Sequence, residues 1–68
     1  MNEDNLNMEI RKFLKKVGIT SQRIIEKEIQ NAYKNGIINL QSEIELQMTL
    51  NIKSLSENNI ISGKIRID

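Results

Sequence analysis

The side chains best suited to recognition lie between Arg11 and Lys27. Arg11, Lys12, Lys15 and Lys16 form a basic run, and Gln22, Arg23 and Lys27 follow at helical spacing. Arginine and glutamine can bond guanine and adenine edges two bonds at a time, while lysine and arginine neutralise phosphates. A helix, a turn at Gly18 and a second helix would offer Gln22, Arg23 and Lys27 to a duplex groove. Arg11, Lys12, Lys15 and Lys16 would then meet the backbone, in the order of a helix-turn-helix followed by a β-hairpin. Three features oppose this reading. No earlier helix braces the motif, Glu26 and Glu28 sit on or beside the reading surface, and the formal net charge is only +1. Duplex binding usually rests on a clear basic excess. An anionic membrane surface could use the same lysines beside Phe13 and Leu14, but those apolar residues are needed for a core. Cations near a helix C-terminus also complement its dipole without any ligand.

Catalytic constellations are poorer still. With no histidine and no cysteine, imidazole bases, thiol nucleophiles and Cys/His zinc sites are excluded. Thr20, Ser21 and Tyr33 carry hydroxyls. Ser21 and Lys27, however, lie six positions apart on one helix, where side chains do not meet well. Glu43 and Glu45 share one side of a strand and could be read as paired carboxylates, yet charge on an edge strand is a common guard against aggregation. Gly18, Gly36 and Gly63 are too dispersed for a phosphate-binding loop. The residues therefore predict no catalytic, cofactor-binding or metal site, and no small-molecule substrate.

The elements that would position these residues follow from periodicity. Leu6, Ile10, Phe13, Leu14 and Val17 form one apolar stripe, predicting a helix over about 5–17 capped by Asp4 or Asn5 and closed by Gly18 at its left-handed end. Thr20 as N-cap would let Ile19 and Ile24 staple the start of a second helix over about 21–35. That helix buries Ile25, Ile29, Ala32 and Tyr33 and stops at Gly36. The period then changes to two. Ile44, Leu46, Met48, Leu50 and Ile52 alternate with polar residues over about 44–52, as do Ile61, Gly63, Ile65 and Ile67 over about 60–67. Ser54 to Asn59 reads as a loose connection, and Ile37 to Leu40 as a short strand or a cover for the core. The expected fold is α+β, a single α-α-β-β domain over residues 1–68. Two helices lie on one face of an antiparallel hairpin, with the other face polar.

Sixty-eight residues without disulfides sit near the lower limit of independent folding, where small chains often add a partner surface. A two-stranded sheet also leaves both edges unpaired. A homodimer, or a contact with another protein, is therefore expected. No apolar run is long enough for a membrane span, and the start MNEDNLN is unlike a signal peptide, so the expected setting is cytoplasmic.

The opening MNEDNLNMEIRKFLKKVGITSQRIIEK resembles the start of a family of bacterial proteins of about this length whose function is unknown. The run RKFLKKVG followed by TSQR is its most specific part. The likeness continues more loosely through the two alternating strands. A glutamate usual in that family is replaced here by Ile24, removing a capping box with Ser21 and leaving the staple as the alternative. The resemblance implies a small α+β protein and supplies no catalytic or binding residues.

Overall fold

The computed structural model describes residues 1–67. It is α+β, with a long helix α1 (Glu3–Lys34), strand β1 (Glu43–Ile52), a short 3-10 turn over Lys53–Leu55, and strand β2 (Glu57–Arg66). The chain divides into two compact units, Met1–Ile37 and Ile38–Asp68.

The first unit corrects the expected pair of helices over 5–17 and 21–35, because α1 is one helix of 32 residues. Its start lies earlier than Asp4 or Asn5. Asn2 is extended, at φ −86° and ψ 102°, and its Oδ1 accepts from the Asn5 amide at 3.0 Å. Glu3 and Asp4 then fill the first turn, where the dipole favours acids. Gly18 does not stop the helix. A glycine inside a helix costs about 1 kcal/mol relative to alanine, a small charge against losing the hydrogen bonds of a broken turn. The apolar stripe also keeps its phase across Gly18. Leu6, Ile10, Leu14, Val17, Ser21, Ile25, Ile29 and Ala32 advance by roughly 3.7 residues per turn, close to the pitch of a straight helix. Thr20 and Ser21 are accordingly interior residues rather than caps, and the Ile19–Ile24 staple does not form.

Gly36 is the stop that the sequence indicated. At φ +75° it occupies the left-handed position. Its amide donates to the Tyr33 carbonyl at 3.1 Å and the Ile37 amide to the Ala32 carbonyl at 2.9 Å. These two bonds make a Schellman termination, which satisfies carbonyls that the last turn would leave unpaired.

The second unit is the antiparallel hairpin. Residues 37–40 form no strand. Instead the Ser42 amide donates to the Asn39 carbonyl at 3.0 Å, and Asn39 Oδ1 accepts from the Gln41 amide at 3.0 Å, giving a tight turn into β1. Pairing runs from Glu43 opposite Arg66 to Ile52 opposite Glu57. β2 thus begins three residues earlier than expected, and the connection is tight rather than loose. It is closed by Ser56 in the left-handed region at φ 56°. Residues directly opposite share a face. Ile44, Leu46, Met48, Leu50 and Ile52 therefore lie with Ile65, Gly63, Ile61, Asn59 and Glu57, so this face is apolar only towards its open end, while Glu43, Glu45, Gln47, Thr49 and Asn51 lie with Arg66, Lys64, Ser62, Ile60 and Asn58. Ile60 is the apolar exception on the polar face.

None of the described residues is buried. On α1, Leu6, Ile10, Phe13 and Leu14 are exposed, whereas Val17, Ser21, Ile25, Ile29 and Ala32 are half-buried. On the hairpin, Ile44, Leu46 and Leu50 are half-buried.

Candidate functional site

At about 100° per residue, the continuous helix sets the seven residues singled out from sequence on one side of a rod. Arg11, Lys15 and Gln22 border the apolar stripe along one flank. Lys12, Arg23, Lys16 and Lys27 occupy the face opposite the stripe. From Arg11 to Lys27 the array extends about 24 Å along the axis at 1.5 Å per residue. The corner needed for a helix-turn-helix is not formed, since such a motif turns its two helices through about 90–120° and α1 runs through Gly18 unbroken.

The polar side carries local compensation. Lys12 Nζ lies 3.8 Å from Glu9 Oε1, with both side chains mostly exposed. Exposed pairs of this kind contribute about 0.3–0.5 kcal/mol. Gln22 donates from Nε2 to Glu26 Oε1 at 2.9 Å, so the amide expected to read a base is held by a neighbouring carboxylate one turn on.

On the hairpin, register decides what Glu43 and Glu45 are. Arg66 stands opposite Glu43 and Lys64 opposite Glu45, and Lys64 Nζ lies 3.7 Å from Glu43 Oε1. Two cations thus face two carboxylates on the polar surface, a register-setting arrangement worth about 0.2–1 kcal/mol per opposed pair. The Ile67 amide donates to the Ser42 carbonyl at 3.2 Å, which continues the ladder by one pair. Alternation from that bond turns the backbone polar groups of Glu43 and Glu45 to the free edge of β1 and those of Lys64 and Arg66 to the free edge of β2. Both edges are therefore charged near the open end of the hairpin. A shallow notch opens around Gly63, lined by Glu45, Leu46, Gln47, Ser62 and Lys64. A Cβ built on Gly63 would meet nothing within 4 Å.

Among the described residues no group of three or more metal-binding side chains comes together. Ser21 lies within the apolar stripe and Lys27 on the polar side, so the helix keeps them apart.

The largest feature was not singled out from the sequence as a site. It is the apolar stripe of α1, broken by Ser21, with Leu6 41%, Ile10 45% and Leu14 50% exposed. The signal for it was present in the shared phase of the two half-stripes, which a stop at Gly18 would have hidden.

A long amphipathic helix followed by a one-sided antiparallel hairpin defines a small α+β protein whose most distinctive surfaces are apolar. The chain belongs to a family of unknown function (DUF6494), whose family model matches residues 1–68. No curated protein and no solved structure matches it. No helix among the described residues is long and apolar enough to cross a membrane.

Proposed function

We propose that the protein is a non-enzymatic interaction domain that acts by self-association, with a homodimer as its basic form. The observation carrying this is the exposed N-terminal half of the apolar stripe of α1. Isolated helices draw most of their stability from packing an amphipathic face, and a lone two-stranded hairpin is marginal in water. Burying one large aliphatic side chain contributes about 1.5–3 kcal/mol. The exposed Leu6, Ile10, Phe13 and Leu14 are thus a large unused source of stability. A chain without cysteine suits the reducing cytoplasm, which is the setting we propose. Light scattering at tens of micromolar tests the reading. A particle of twice the 7.9 kDa chain mass is expected, and a folded monomer would contradict it.

One observation favours a second reading, in which the protein binds nucleic acid. Arg11, Lys12, Lys15, Lys16, Gln22, Arg23 and Lys27 share the polar side of one helix. Glu9, Glu26 and the Gln22–Glu26 bond weaken that surface, so the reading ranks below self-association. Duplex retardation that falls steeply with salt would support it, because counterions are released on binding. No retardation at tens of micromolar would remove it.

A further inference from the structure

We infer that the N-terminal half of α1 is the self-association surface, and that two copies pair there antiparallel about Ile10. The inference rests on the proposed self-association and adds which surface pairs and in which direction. Two observations lead to it. First, all four apolar side chains from Leu6 to Leu14 on this half of the stripe are exposed, while Val17, Ile25, Ile29 and Ala32 on the other half are half-buried and the exposed Ile19, Ile24 and Tyr33 lie off its centre. Second, charge is segregated along the same half. Residues 3–9 carry Glu3, Asp4 and Glu9 with no base, and residues 11–16 carry Arg11, Lys12, Lys15 and Lys16 with no acid.

Direction follows from that segregation. In an antiparallel pair centred on Ile10, Leu6 of one copy faces Leu14 of the other and the two Ile10 side chains meet at the axis. The acidic segment of each copy then lies along the basic segment of the other. Asp4 then comes beside Lys15, on the flank of the stripe that Arg11 and Lys15 border. A parallel pair would set four cations against four cations and three carboxylates against three. An antiparallel pair spanning the whole helix, centred on Ile19, would set residues 11–16 against residues 22–27, where Arg23 and Lys27 outnumber Glu26. That gives the basic run no acidic segment to meet. The sheet edges are less suited, since Glu43 and Glu45 guard one and Lys64 and Arg66 the other.

The test uses the absence of native cysteine. Leu6→Cys chains labelled with nitrogen-15 and unlabelled Leu14→Cys chains, which then differ in mass, are oxidised separately and as an equal mixture, with light scattering on the same samples. Antiparallel pairing about Ile10 separates the two copies of residue 6 by about 12 Å along the axis, beyond the roughly 7 Å Cα limit for a disulfide. The expected result is a dimer in which the mixture gives the Leu6→Cys to Leu14→Cys crosslink and neither variant crosslinks efficiently alone. Self-crosslinking of Leu6→Cys would show parallel pairing. A dimer that crosslinks in no sample would place the interface elsewhere. Either result overturns the inference and leaves self-association standing, whereas a monomer by light scattering removes both. The double substitution Arg11→Glu/Lys15→Glu, at exposed positions that border the stripe, gives an independent readout. It should weaken the dimer by about tenfold or more with unchanged circular dichroism, and unchanged affinity would refute the charge argument.

Discussion

Replacing Gly18 with alanine separates a continuous helix from a helical corner by the sign of its effect. Gly18 lies inside α1, outside the left-handed region, and an added Cβ would meet nothing within 4 Å. Alanine there gains the full propensity difference with no steric offset, about 0.8–1.0 kcal/mol. For a domain of this size that corresponds to a rise in melting temperature of about 4–8 °C. Gly36 is the internal control. At φ +75° a side chain is strained whatever space surrounds it, so Gly36→Ala should destabilise by about 1 kcal/mol. Helical circular dichroism followed through thermal and urea denaturation reads both variants. Destabilisation by Gly18→Ala, matching that of Gly36→Ala, would mean that Gly18 holds a left-handed turn, and the single helix would be refuted.

Asn2→Ala removes the side-chain cap at the start of α1 and should cost about 1 kcal/mol, read as reduced helicity and a lower denaturation midpoint. Ser56→Gly relieves a non-glycine residue at φ 56° and should stabilise the hairpin by about 0.5–1 kcal/mol, read by amide exchange in β1 and β2. Lys64→Glu puts a carboxylate opposite Glu45 and beside Glu43, so it should destabilise the hairpin by about 1 kcal/mol at low salt and less at high salt. No difference between the two salt conditions would remove the register role assigned to these charges.

Most of the second unit was legible because alternation over Ile44–Ile52 has only one physical reading, a strand with one apolar face. Its register was not, since that depends on a connection closed by Ser56, a residue that gives little warning of a left-handed conformation. In the first unit two glycines with the same local look play opposite roles. After Gly36 the helical period is lost in Ile37, Ile38 and Leu40, and the chain does stop. After Gly18 the stripe resumes in phase at Ser21, Ile25 and Ile29, and the helix continues. Phase was therefore a better guide than glycine itself. The candidate residues were identifiable by type, because arginine, lysine and glutamine have fixed bonding habits. Their arrangement was not, because a corner and a rod distribute Arg11 and Arg23 differently. The Gln22–Glu26 bond likewise follows from the unbroken helix geometry.

The central claim is that the exposed stripe of α1 is covered by a second copy. Sedimentation equilibrium of the wild-type chain beside Leu14→Glu at tens of micromolar tests it most directly. The account predicts twice the 7.9 kDa mass for the wild type and a single chain for the variant. A wild-type monomer with full helicity, or a Leu14→Glu chain that still dimerises, would contradict it.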